Sequence, residues 1–194
     1  MDSAAKYLSL EEPERSSHLW RYTPWRRVHP TGDVSVVPEL GTPEIKLIGF
    51  DGGAAPDGIR IEQGLNSDAI LPEADAVTGT FLRAVTGHSQ WTLRVEPGFS
   101  PEYPVILDID IGDSPSVLHL NLDIGRFSEL ELVTRVRGSC EWFGMLRTGT
   151  FGDASSINDI VVSLIDDGIL LRVDSISVGR DAQVRAGTVS SGSE

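Results

Sequence analysis

The segment His18–Pro30, with the sequence HLWRYTPWRRVHP, combines residue types that bind phosphates and nucleic-acid bases. Arginine neutralises phosphate groups, and tryptophan or tyrosine stacks on bases. The chain as a whole has 29 acidic and 16 basic residues, a formal net charge of −13. Because polyanion binding needs a dense positive surface, we expect no nucleic-acid partner. The side chains of interest in the segment are Trp20, Arg21, Tyr22, Trp25, Arg26 and Arg27.

The same six residues fit two other roles. Trp20 and Trp25 could anchor an N-terminal arm on the rest of the protein, with the arginines paired to carboxylates. Alternatively, the segment is a partner-docking surface, because tryptophan, tyrosine and arginine are enriched at protein interfaces. The sequence leaves both roles open.

The cysteine and histidine residues of this chain offer few possibilities for metal binding or catalysis. Cys140 is the only cysteine, which excludes an intrachain disulfide and a cysteine-rich metal cage. Alternation in SCEWFGML predicts that Cys140 is buried on one face with Trp142 and Leu146. The four histidines lack metal-ligand spacing, and the common nucleotide-binding and hydrolase motifs are absent. We therefore predict no stably bound cofactor.

Two pairs of carboxylates have spacings that could serve acid–base chemistry. Asp108 and Asp110 alternate on one face of a predicted strand, which can give the separation of about 5–10 Å used in glycoside hydrolysis. A solvated sheet face explains the same pattern, and we favour it. Asp166-Asp167-Gly168 is typical of a turn, as is GDSPS at Gly112–Ser116. A carbohydrate-active enzyme that uses Asp108 and Asp110 is the alternative.

Composition predicts a cytoplasmic globular protein. Apolar residues make up 40% and charged residues 23% of the chain, which is typical of soluble folded proteins. Every apolar run is far shorter than the roughly 20 residues that span a bilayer. The N-terminus lacks the basic and apolar regions of a signal peptide. We expect no membrane association.

The chain divides into three predicted regions. Residues 1–44 form a helical and extended arm, residues 45–187 a β domain, and residues 188–194 a disordered tail. In the arm, Ser9 and Glu12 fit a capping box that opens a short helix. A second helix is predicted within residues 72–87, since a proline lies near its start and a glycine at its end.

The β domain is predicted from residue alternation. In LHLNLDI, every second residue is apolar and the residues between are polar, the pattern of a half-buried strand. Glycines close successive strands at intervals of about 11–16 residues. Such regular strands are typical of a sandwich, a barrel or a β-solenoid. The pattern alone leaves an antiparallel β-sandwich and a stacked β-helix open.

The segment EPERSSHLWRYTPWRRV resembles the N-terminal part of SufB/SufD-type iron–sulfur cluster assembly proteins. In that family an acidic helical stretch leads into a W-[RK]-Y-T motif, matched here by Trp20-Arg21-Tyr22-Thr23. The runs LHLNLDIGRFSELELVTRVRG and INDIVVSLIDDGILLRVDSISVG are similar to strands of the family core and follow in the same order.

This resemblance implies a right-handed parallel β-helix that acts as a non-catalytic scaffold in iron–sulfur cluster assembly. The implied partners are a Suf-type ATPase and SufB/SufD-like proteins, with an iron–sulfur cluster held only transiently in the complex. Family members are longer, and their functional residues lie later in the sequence, so none is carried over to this chain. An exposed edge of the β-helix would favour a homodimer. A β-rich binding module without catalysis is a further alternative.

Overall fold

The computed structural model describes residues 3–11, 14, 16, 29, 33, 35–65, 76–87 and 89–191. Within these residues the chain forms two helices, α1 (Ser3–Leu8) and α2 (Ala76–Val85). Its strands are β1 (Glu44–Gly49), β2 (Ile59–Gln63), β3 (Gln90–Val95), β4 (Val105–Asp110), β5 (Ser116–Ile124), β6 (Glu129–Gly138), β7 (Trp142–Phe151), β8 (Ser156–Ile165), β9 (Ile169–Val178) and β10 (Gln183–Ser190). None of the helices in the described ranges is both long and apolar enough to cross a membrane.

The strands alternate between two five-stranded sheets. Sheet A has the order β2-β3-β5-β7-β9, and sheet B has the order β1-β4-β6-β8-β10. From β3 onward, each strand pairs in parallel with the strand two places later in the chain. The chain therefore winds as a parallel β-helix of about four turns, which confirms that prediction. The parallel pairing excludes the antiparallel sandwich.

From β4 onward, the register gives a length of 27 residues for one coil. Ser116 lies opposite Phe143, and Glu129 lies opposite Ser156. The glycines that follow β5, β7 and β9 are separated by the same interval. A Cβ atom on Gly152 would lie 2.5 Å from the backbone nitrogen of Arg126 in the coil below. Glycine is required at this corner because stacked backbones approach too closely for a side chain.

The first coil is covered by strands of the opposite direction. β1 pairs antiparallel with β4, and β2 pairs antiparallel with β3. Ile59 of β2 is buried in the core between the sheets, and Ile45 and Leu47 of β1 pack against that core. These two strands cap the N-terminal end of the solenoid, which would otherwise expose its interior.

A second apolar cluster covers the outer face of sheet A. Phe81 of α2 lies 6.4 Å from Trp142 between ring centroids, and Tyr7 of α1 lies 5.2 Å from Phe81. His29 packs 4.5 Å from the same phenylalanine ring. Parts of the N-terminal arm therefore pack on the chain's own β-helix. The six arm residues Trp20, Arg21, Tyr22, Trp25, Arg26 and Arg27 lie outside the described residues.

Several predicted boundaries can be compared with the structure. Ser9 lies just after α1, where its hydroxyl donates a hydrogen bond to the carbonyl of Lys6 at 2.7 Å; Glu12 is outside the described residues. Residues Gly112–Pro115 of the GDSPS motif and Asp166-Asp167-Gly168 form connections between strands, as predicted, and Ser116 begins β5. β10 continues to Ser190, paired with β8, and so includes the first residues of the segment predicted as a tail.

Candidate functional site

The last coil, formed by β9 and β10, is a candidate interface. Within the described part of the chain, these strands are the outer members of sheets A and B. Val178 and Val184 are 53% and 38% exposed, whereas Phe151 and Ile157, on which they stack, are 2% and 1% exposed. At this coil, apolar side chains that point toward the interior of the solenoid are therefore exposed to solvent. An open strand edge of this kind presents unpaired backbone donors and acceptors to another chain.

The interior of the last two coils contains a buried ionic network. Arg147 of β7 is fully buried, and its Nη1 donates a hydrogen bond to Oδ1 of Asp159 in β8 at 3.1 Å. Its Nε lies 3.3 Å from Oδ1 of Asp174 in β9. With Arg172, the network contains two arginines and two aspartates, so its net charge is zero.

This network reaches the surface at the open coil. Arg172 pairs with Asp174 and donates a hydrogen bond to Oγ1 of Thr188 at 2.8 Å. Burial alone would lower the pKa of Arg172, but its bond to Asp174 and the charges of Asp174 and Asp159 raise it. These side chains, with Leu170 and Ser190, line a shallow hollow of about 410 Å³. The open end of the solenoid is therefore polar at its centre and apolar at the corner between β9 and β10.

The predicted carboxylate pair lies on the outer face of sheet B and is bound by arginines. Nε of Arg135 donates to Oδ1 of Asp108 at 2.7 Å, and Nη1 of Arg137 lies 2.7 Å from Oδ2 of Asp110. Burial would raise the pKa of Asp108, but the hydrogen bond from Arg135 and the charges of both arginines lower it. Asp108 is thus held ionised, a state that does not suit a general acid.

Cys140 is buried, as the sequence predicts, but not on the predicted face. Its Sγ donates to the carbonyl of Trp142 at 3.2 Å, and burial raises the pKa of the thiol. Cys140 packs in the core between the two sheets, whereas Trp142 and Leu146 face α2 on the outer side of sheet A. The expected shared face is wrong because Cys140 precedes β7 and lies in a corner, where strand alternation does not apply.

A buried polar cluster under α2 was not predicted. Nε2 of His119 lies 2.9 Å from Oγ1 of Thr148, which lies 3.4 Å from Oδ1 of Asn121. Burial, followed by the charge of Arg83, lowers the pKa of His119 to about 4. The imidazole is therefore neutral near pH 7. Alternation did place His119 and Asn121 on the outer face of β5, but it does not indicate that this face is covered.

No group of three or more histidine, cysteine, aspartate or glutamate side chains in the described ranges is arranged to hold a metal ion. No protein-family model, no curated protein and no solved structure matches this chain.

Proposed function

We propose that this chain is a non-catalytic scaffold that assembles with another protein chain through its last coil. The observation that carries the proposal is the exposure of Val178 and Val184, whose counterparts one coil earlier are buried. Covering these side chains removes apolar surface from water, and strand pairing satisfies the free backbone groups of β10. All eight residues of β10 are exposed, so this strand is accessible to a partner along its whole length.

A second copy of the chain is the partner that fits best. β1 and β2 cap the first coil with antiparallel strands, so a second solenoid cannot stack head to tail in the parallel register of the coils. Two last coils can instead meet tail to tail about a two-fold axis, with their edge strands antiparallel. Such an isologous contact closes as a dimer and covers the open edges of the last coil.

The SufB/SufD resemblance gives the scaffold a more specific role in iron–sulfur cluster assembly. It is supported by the parallel β-helix and by the order of the matching segments. Because the chain's single thiol is buried at Cys140 and hydrogen-bonded to a carbonyl, the cluster in this role is cargo held by partner proteins. The expected partners are a Suf-type ATPase and SufB/SufD-like proteins.

Sedimentation velocity of the 194-residue chain tests the assembly. We expect a dimer for the unmodified protein and a monomer for the double variant Val178→Lys/Val184→Lys. The control is Ile160→Lys, which changes an exposed apolar residue of β8 that faces outward from sheet B. A strict monomer across the concentration range, or dissociation in the control alone, would contradict the proposal.

A separate experiment tests the iron–sulfur role. The tagged chain is mixed with purified Suf-type ATPase and cysteine desulfurase components, and complexes are detected by co-purification. We expect the ATPase to be retained. If the chain dimerises but retains none of these components, the assembly proposal stands and the iron–sulfur role is rejected.

A further inference from the structure

An apolar groove lies at the first coil, at the opposite end of the solenoid from β9 and β10. It has a volume of about 380 Å³ and is open to solvent. Phe50 and Tyr103 are 63% and 61% exposed, an unusual state for two aromatic rings that share one depression. Besides these rings, its apolar wall consists mainly of Pro56, Pro101 and Pro104.

An acidic hollow of about 210 Å³ adjoins this groove, and the two share Pro101, Glu102 and Tyr103. Glu129 and Glu131 of β6 line the acidic hollow. Glu131 accepts a hydrogen bond from Nδ2 of Asn158 at 2.9 Å, and the Ser100 hydroxyl donates to Glu129 at 3.5 Å. These glutamates are therefore hydrogen-bonded by neutral groups.

The charge of the combined surface is uniformly negative. Asp51 adds a fourth carboxylate at the groove, and neither depression is lined by a lysine or an arginine among the described residues. The ion pairs of the described residues do not include Asp51, Glu102, Glu129 or Glu131. A cation that binds here would not have to displace a lysine or arginine of the described residues.

The groove is also held in shape by its backbone. Gly52 donates its N–H to the carbonyl of Gly49 at 3.0 Å, and Gly49 donates to the carbonyl of Gly53 at 3.0 Å. Prolines at 101 and 104 fix φ on the opposite wall. A preformed surface loses little conformational entropy when a ligand binds.

We infer that this groove binds an extended basic peptide of a partner protein, with a proline or aromatic side chain in the apolar part and arginines against the carboxylates. Aromatic and proline side chains of a groove pack well against extended proline-containing segments. Four carboxylates that form no ion pair among the described residues, in a protein of net charge −13, attract cationic partners and steer them to the site. Among the residues that the structure describes, the apolar part is lined by no side-chain amide, lysine or arginine, which favours a peptide over a glycan.

Fluorescence anisotropy with a labelled 13-residue peptide tests this inference. The probe HLWRYTPWRRVHP, the sequence of His18–Pro30, carries the required chemistry. It is titrated with the 194-residue protein, and we expect saturable binding that weakens at high salt, since the charge attraction is screened. A matched peptide with glutamine in place of each arginine is expected not to bind.

Substitutions in the groove and in the acidic hollow test whether the peptide binds there. Tyr103→Ala is expected to weaken binding about tenfold, the size of a contact that anchors an interface. The double variant Glu102→Gln/Glu131→Gln is expected to weaken binding and to reduce its salt dependence. The control is Phe127→Ala, which removes an aromatic ring of similar exposure that lines neither depression.

Three outcomes would overturn the inference. They are no binding of the arginine peptide to the unmodified protein, equal effects of Tyr103→Ala and the Phe127 control, and displacement of the peptide by a neutral oligosaccharide. The last result would assign the groove to a glycan. None of these outcomes bears on the dimer, which uses the other end of the solenoid.

Discussion

Arg147 and Asp159 form an ion pair that crosses the inside of the β-helix from sheet A to sheet B. Their Nη1 and Oδ1 atoms are 3.1 Å apart, and both side chains are buried. β7 and β8 are consecutive strands, so the pair closes a single coil. Nε of Arg147 also lies 3.3 Å from Oδ1 of Asp174, which belongs to the next coil. One arginine therefore links the two sheets and two successive coils.

Removal of the arginine is expected to destabilise the protein strongly. Arg147→Met leaves Asp159 buried without its cation and should lower the free energy of unfolding by about 3–5 kcal/mol. The double variant Arg147→Met/Asp159→Leu removes both charges and should recover most of this loss. Urea unfolding followed by circular dichroism gives both values.

A surface arginine provides the control for this prediction. Arg180 lies on an exposed corner, 3.8 Å from Asp181, and Arg180→Met should change the free energy of unfolding by less than about 1 kcal/mol. If Arg147→Met were no more damaging than Arg180→Met, the buried pair would not be an important contact of the folded state.

Alanine substitutions at a corner glycine and at an edge-strand glycine should differ in their effect on stability. A Cβ atom on Gly152 would meet the backbone of Arg126 at 2.5 Å, so Gly152→Ala must push two coils apart. We expect a loss of about 1–3 kcal/mol, the usual result of overpacking. Gly187 of β10 has no atom within 4 Å of the equivalent position, so Gly187→Ala should be neutral. Equal urea midpoints for the two variants would contradict a stacking role for Gly152.

The sequence predicts most strands of this fold well because alternate residues of these strands are buried between the two sheets. Leu118, Leu120 and Leu122 are all fully buried between the sheets, as their alternation predicts. Alternation does not identify which strands pair, and for this reason the sandwich and the β-helix could not be separated. The deciding information is the 27-residue interval between Gly125, Gly152 and Gly179, which reports the length of a coil.

A second repeated residue supports the same interval. Ser128 and Ser155 follow two of these glycines, and their hydroxyls donate to the carbonyls of Gly125 and Gly152 at 2.8 Å and 2.7 Å. The pattern G-x-x-S is therefore a corner motif. It can be recognised in GRFS and GDAS once the interval is known.

The candidate sites were harder to predict because their residues are distant in sequence. Phe50 and Tyr103 share a groove only because β1 pairs with β4, with Gly49 opposite Val105. Arg147 points to the interior, two residues after the inward-facing Met145, whereas a charged residue in a strand is ordinarily expected on the solvent-exposed face. The compensating carboxylates of Asp159 and Asp174 come from two other strands.

Because His119 is buried as a neutral group, we expect the free energy of unfolding to fall in mild acid. Its pKa is about 4 in the folded protein and 6.5 ordinarily, so between these values the unfolded chain binds a proton that the native state does not. The free energy of unfolding should therefore fall as the pH is lowered from about 6.5 to 4, by roughly 3 kcal/mol at most. In His119→Gln this decrease should be smaller, as measured by urea unfolding at a series of pH values.

Asp108 should affect the stability of the protein at a lower pH than His119 does. Its pKa is lowered from 3.8, so its stabilising effect is complete above that value and is lost as the pH falls through the lower folded value. Asp108→Asn should leave the slope between pH 6.5 and 4 unchanged and alter it only in stronger acid. If His119→Gln and unmodified protein had the same slope in mild acid, His119 would not be buried as a neutral group.

Cys140 is expected to be unreactive in the folded protein. The thiol is buried, its Sγ donates to a backbone carbonyl, and burial raises its pKa from 9.0, so little thiolate is available at pH 8. Ellman's reagent should therefore label Cys140 only as the protein opens, and addition of urea should increase the rate steeply. The control is Ser191→Cys, an exposed position after β10, whose thiol should react at once. Labelling of Cys140 as fast as this control would show an accessible thiolate and would contradict the burial of Cys140.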